Sequence, residues 1–167
     1  MTPPLFDLDL LDAIEESVEE QFEAFVWRQV VLGTDPLKTN SLGGRWSPPG
    51  VEVLYCSLSQ RGAELELAAL LDRQPRPVLR SRVMHKLEVR LAKVFRVTES
   101  EAFLSAGVSR SAVLGRDTTL SQRIGAAAEW LGLRGLVVPS ARHDDGNLVV
   151  ITNRLVPPYD YYDLVTS

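Results

Sequence analysis

Apolar positions at Leu8, Leu11, Ile14, Val18, Phe22 and Phe25 recur every three or four residues, a spacing that predicts an amphipathic helix over residues 7–25. Its outer face collects Glu15, Glu16, Glu19, Glu20 and Glu23, an acidic run that reads as a solvated surface. Phe25 to Leu32 and Val51 to Cys56 are dense in β-branched and aromatic residues and predict strands, the first ended by Gly33-Thr34-Asp35-Pro36. The loop of roughly eighteen residues between them exceeds the usual length for a connection in a compact domain, which marks it as functional or disordered, and its Trp46 and paired prolines argue for order. Ser59 can cap a helix that runs to about Asp72 with Ala63, Leu67, Leu70 and Leu71 as its apolar stripe, and Gly62 weakens its first turn slightly. Gln74-Pro75-Arg76-Pro77 is a stiff connector, after which Val83 to Leu91 alternates with period two and predicts a half-buried strand. Thr98-Glu99-Ser100-Glu101 has the capping-box pattern and opens a short helix, and a longer one runs from Thr119 to Leu131 and stops at Gly132. Two last strands, Leu136-Val137-Val138 and Leu148-Val149-Val150-Ile151, pair across a polar loop.

The order is mixed α/β without a strict βαβ repeat, and 167 residues with 45% apolar composition suit a single domain spanning 1–167. No window approaches a membrane span and the first residues lack the order of a secretory signal, so a cytoplasmic location is expected, without membrane contact. A net charge of −4 gives nucleic-acid binding no electrostatic support. The single cysteine, Cys56, excludes an internal disulfide and any cysteine-rich metal site, and its apolar neighbours predict a small buried hydrophobe. His85 and His143 are too isolated to suggest a metal site or a catalytic triad, and neither a Walker loop nor a Gly-x-Ser-x-Gly elbow is present.

The run Gly43-Gly44-Arg45-Trp46-Ser47-Pro48-Pro49-Gly50 carries the clearest chemistry: either two glycines let the backbone approach a ligand and the guanidinium binds a phosphate in bidentate fashion, or the run only turns a loop and Arg45 makes a surface ion pair. Arg28 stands within the apolar strand Val26-Trp27-Arg28-Gln29-Val30, so it either faces solvent or enters the core with an anionic partner. Tyr55 is either a core tyrosine with a bonded hydroxyl or a stacking platform for a ring. Glu64 and Glu66 project about 160° apart on a helix, so only one can face a common site, and periodicity does not choose between them. Ser140 follows Pro139 at a strand end, where a serine commonly forms a turn.

Taken together, Trp27-Arg28, Gly43 to Gly50, Val53-Leu54-Tyr55, Ser59, Ala63, Glu66, Val138-Pro139-Ser140 and Gly146-Asn147 resemble the RES domain family, named for an arginine, a glutamate and a serine and found as toxins of bacterial toxin-antitoxin pairs. Its tyrosine-to-glutamate spacing selects Glu66 over Glu64. Gln29 and Arg61-Gly62 depart from the family pattern, the latter standing where Glu-Thr usually precedes Ala63. The resemblance implies an α+β, ADP-ribosyltransferase-like domain with a central mixed sheet flanked by helices. It implies cleavage of NAD at the nicotinamide-ribose bond by hydrolysis, phosphorolysis or transfer of ADP-ribose to a protein acceptor, with NAD as substrate and no further cofactor or metal. In that reading Glu66, Arg28 and Ser140 are catalytic and Arg28, Arg45, Tyr55 and Ser140 bind NAD. The partner is an Xre-type helix-turn-helix antitoxin. A catalytically silent NAD or ADP-ribose-binding module and a docking protein using its acidic helix and its Pro157-Pro158-Tyr159-Asp160-Tyr161-Tyr162 tail are the rival expectations.

Overall fold

In the computed structural model, which describes residues 6–73 and 81–166, the N-terminal periodic stretch divides into two elements. Helix α1 covers only Leu8–Glu16: the Asp7 carboxylate caps it by accepting from Asp9 N, and Leu10, Ala13 and Ile14 are buried. At Ser17 the chain turns, and β1 runs from Val18 to Val31, so residues 18–25 are strand and not helix. The cause is a degenerate pattern. Val18, Phe22, Val26 and Val30 are four apart, which satisfies a helical stripe and also keeps every member on one face of a strand. Tertiary pairing decides, because β3 (Arg82–Arg96) offers β1 an antiparallel partner from Val18↔Phe95 to Val31↔Arg82.

The remaining elements are β2 (Val53–Ser57), α2 (Gln60–Arg73), α3 (Glu101–Ser105), α4 (Arg110–Leu114), α5 (Thr119–Trp130), β4 (Gly135–Val138), β5 (Asn147–Ile151), a 3-10 turn over Thr152–Arg154, and β6 (Tyr161–Leu164). The connector expected at Gln74-Pro75-Arg76-Pro77 lies outside the described residues. Strand order is β1-β2-β5-β4-β3-β6, and the further pairing of β1 with β3 closes the first five into a barrel. The expected mixed sheet is therefore present, with β3 and β4 parallel and the other neighbours antiparallel, but it is rolled up.

Closure separates two apolar layers. Phe22, Val26, Leu54, Leu87, Leu148 and Val150 belong to one, while Phe95, Leu136 and Val149 on alternate positions join Ile14, Phe103 and Ile124 of the helices in the other. Along β3 the alternation slips once: Leu91 and Val94, three residues apart, share a layer, and Lys93 between them has a positive φ of 55°. Near that point the C-terminal segment is locked to the barrel. Asp160, 2% exposed, accepts from Ala92 N of β3 at 2.8 Å and from Val156 N at 2.8 Å, and pairs with Arg134 Nε at 2.9 Å. The aromatic tail thus packs on its own barrel, with β6 paired to β3 from Leu87↔Leu164 to Arg90↔Tyr161. No helix among the described residues is long and apolar enough to cross a membrane.

One seam of the barrel is barely sewn. β1 and β2 share a single pair, Trp27↔Ser57, and then part. The long loop between them is ordered by the bridge Asn40↔Val53 and by the buried Trp46, 3% exposed. Helix α5 lies directly against this loop at Gly125, where an added Cβ would stand 1.7 Å from the Trp46 carbonyl oxygen.

Candidate active site

The parting of β1 and β2 opens a cavity of about 250 Å³ lined by Trp27, Arg28, Tyr55, Cys56, Glu66 and Asn147, among others. α2 begins immediately after β2. Its N-terminus is held by Ser59 Oγ, which accepts from Gly62 N at 2.8 Å and donates to Asp145 at 2.6 Å, so the β4–β5 loop is pinned to the first turn of the helix. One and a half turns on, Glu66 faces the cavity, whereas Glu64 is exposed and accepts from Gln60 at 3.3 Å.

Glu66 is gripped through one oxygen. Its Oε1 accepts from Ser140 Oγ at 2.6 Å and from Asn147 Nδ2 at 3.3 Å, and lies 3.5 Å from His143 Nε2. No hydrogen bond is made to Oε2 by the described residues. Ser140 does not line the cavity itself; 3% exposed, it acts on the carboxylate from behind while accepting from Arg142 N at 3.0 Å. The arrangement gives a carboxylate of fixed orientation with one oxygen available to a ligand.

Arg28 stands in the seam, half-buried, and meets neither alternative expected of it: its partners are carbonyls and not a carboxylate. Nε donates to Pro36 O at 2.9 Å, Nη1 to Tyr55 O at 2.8 Å and Nη2 to Lys38 O at 3.2 Å. It replaces the ladder bonds that β1 and β2 do not make, and of its five N–H groups these take three. Burial pulls its pKa below the ordinary arginine value.

Tyr55 lines the cavity and uses its hydroxyl to fasten the glycine loop, accepting from Trp46 N at 3.1 Å and sharing a 2.7 Å bond with Ser47 Oγ. Burial raises its pKa. Gly44 is explained by this approach, since a Cβ there would sit 2.6 Å from the hydroxyl. Arg45 does not line the Glu66 cavity. Its Nη1 donates to Val113 O at 3.0 Å and Gly115 O at 2.7 Å, tying the loop to the end of α4, with Nε and Nη2 unbonded among the described residues. Cys56 is 4% exposed, and burial pushes its thiol up to about 12, which leaves it an inert wall of the cavity.

The structure thus gathers Arg28, Tyr55 and Glu66 around one cavity with Ser140 behind the carboxylate, and sets Arg45 apart on the loop. Asn147 and His143 complete the grip on Glu66. In the sequence Asn147 is signalled only as part of a motif, and His143 not at all, because a lone loop histidine has no partner in the linear order.

Among solved structures the chain is similar to one in the crystal structure of the M. tuberculosis MbcT-MbcA toxin-antitoxin complex, with a TM-score of 0.75 and 24% identity over 96% of this chain and 93% of that one. That likeness is one of fold. Comparison with curated proteins gives no match. The RES domain model matches residues 26–163, from the strand that carries Arg28 to the strand that follows the Asp160 lock, and the chain belongs to the RES domain family.

Proposed function

We propose that this protein is the toxin of a toxin-antitoxin pair and cleaves NAD at the nicotinamide-ribose bond, lowering cellular NAD and arresting growth. The observation that carries the reading is Glu66, fixed through Oε1 by Ser140 and Asn147 and free at Oε2 beside a cavity walled by Tyr55 and Arg28. Cleaving that bond builds positive charge on the ribose. A preoriented carboxylate that binds ribose hydroxyls and lies near the developing oxocarbenium ion stabilises the transition state more than the ground state. A cavity of about 250 Å³ suits the nicotinamide ribose rather than the whole dinucleotide, so the pyrophosphate lies towards its open mouth. The two N–H groups that Arg28 retains and the unbonded Nε and Nη2 of Arg45 are the donors for it, and Tyr55 packs against the ring or its ribose. Water, inorganic phosphate or a protein side chain then captures the sugar cation.

Membership of the RES family and the shared fold with a chain of a toxin-antitoxin complex support a protein antitoxin as partner; that it is of the helix-turn-helix Xre-associated kind is part of the proposal. The test is to incubate purified protein with NAD, with and without phosphate, and to follow nicotinamide by mass. Release by the wild type and its loss in a folded Glu66→Gln variant are expected. No release under either condition, with no protein modified, sinks the proposal, and tight binding without turnover would indicate the silent NAD-binding module instead.

A further inference from the structure

We infer that His143 is a positioning residue for Glu66, and that Gly62 stands on α2 to admit its imidazole; the inference rests on the functional reading above. The side chain of His143 is only 2% exposed. Its Nε2 faces two acceptors, Asn147 Oδ1 at 3.2 Å and Glu66 Oε1 at 3.5 Å, so Nε2 carries the proton. The nearer contact has a directional consequence. Because Asn147 Oδ1 accepts from the imidazole, the amide is turned with Nδ2 towards Glu66, where it donates at 3.3 Å. His143 therefore acts on the carboxylate by setting the orientation of the Asn147 amide, with its own Nε2 3.5 Å from Oε1.

The site is built around this ring at a cost. Nδ1 is buried with no hydrogen-bond partner, and Ser59, the hydroxyl of the neighbouring cap, directs its one hydrogen to Asp145. The helix also forgoes a side chain. A Cβ on Gly62 would stand 2.6 Å from His143 Cε1, 2.7 Å from Nδ1 and 2.9 Å from Ser59 Oγ, distances at which the ring and, to a smaller extent, the cap hydroxyl have to move. Gly62 has an ordinary helical φ, so backbone conformation does not demand a glycine there. The departure from the family pattern at Arg61-Gly62 is thus paired in space with His143.

The chain has only two histidines, so imidazole ¹⁵N spectra distinguish His143 from His85 without ambiguity. The expected result is the Nε2-protonated tautomer for His143, with signals that move in Glu66→Gln while those of His85 stay. An Nδ1-protonated tautomer, or no response to Glu66→Gln, overturns the inference. In nicotinamide release, His143→Ala should lower kcat on the order of tenfold to a hundredfold with KM little changed, as expected when a reacting group is misplaced and substrate binding is left intact. His143→Gln, which can still donate to Asn147, should recover most of that activity. Gly62→Ala should reproduce the His143→Ala defect, and the double variant should be no worse than either, because the added methyl fills the space the ring vacates. Additive defects, or equal activity of His143→Ala and wild type, overturn it. Should the wild type release no nicotinamide, the functional reading fails, and the imidazole spectra alone decide whether His143 holds Glu66.

Discussion

Replacing Ser140 by alanine removes the shortest of the contacts that hold Glu66 Oε1, 2.6 Å against 3.3 Å from Asn147 and 3.5 Å from His143. A hydrogen bond to a charged group contributes about 1.5–3 kcal/mol net. Glu66 keeps 33% of its side-chain surface exposed, so water competes for the freed oxygen and the lower part of that range applies, about 1.5–2 kcal/mol. If the freed carboxylate loses its transition-state orientation to that extent, kcat for nicotinamide release falls about ten- to thirtyfold. KM should move little, since Ser140 lines no part of the cavity. The measurement is steady-state and single-turnover nicotinamide release by Ser140→Ala against wild type, with unfolding curves to show that the fold survives the removal of the Arg142 N acceptor. A kcat within about twofold of wild type would refute the reasoning: Asn147 and His143 would then suffice to hold the carboxylate.

Two predictions concern stability. Asp160→Asn places an amide among three donors, Ala92 N, Val156 N and Arg134 Nε, and breaking this pair should cost about 3 kcal/mol, the lower end for buried pairs because Arg134 is 20% exposed. In a chain of this length that lowers Tm by about 6–12 °C in a thermal melt, and a shift below about 2 °C would contradict it. Cys56 should make the protein sensitive to alkali: its thiol ionises near 9 when unfolded and is pushed up to about 12 when folded, so the unfolded state releases the proton first and stability drops as pH rises through that interval. The full difference corresponds to about 4 kcal/mol, and urea titrations should show a shallower decline with pH for Cys56→Ala; equal slopes would argue against a buried thiol.

Elements whose signals are local were legible in the sequence. The Ser59 cap and the α2 helix, the β4–β5 pair and the stop at Gly132, with its φ of 76°, all depend on residues close in the chain. The misplaced helix boundary had a different origin: a spacing of four in Val18, Phe22 and Val26 fits both periods, and the deciding partner, β3, lies more than fifty residues away. The short α4 and β6 carry too few residues to show a period at all. Barrel closure was invisible because it rests on the pairing of β1 with the distant β3, and the role of Arg28 because it is settled by which backbone groups β1 and β2 leave unpaired. At the site, motif spacing singled out Glu66 and Ser140, which the structure joins by a hydrogen bond. It grouped Arg45 with Arg28, whereas the two guanidiniums hold different segments. The glycine in the first turn of α2, which backbone freedom does not require, signals a close neighbour without naming it, and only the structure shows that neighbour to be His143.

The grip on Glu66 also has a timetable. Asn147 follows the carboxylate by 81 residues, so at about 5–20 residues per second a ribosome makes Glu66 roughly 4–16 s before the last of its holders exists. Until then α2 carries a glutamate with neither Ser140, His143 nor Asn147 to orient it, and a barrel that lacks β4 and β5. On the proposed reading, a chain still being translated has no oriented carboxylate, and the site is completed only as the C-terminal strands dock.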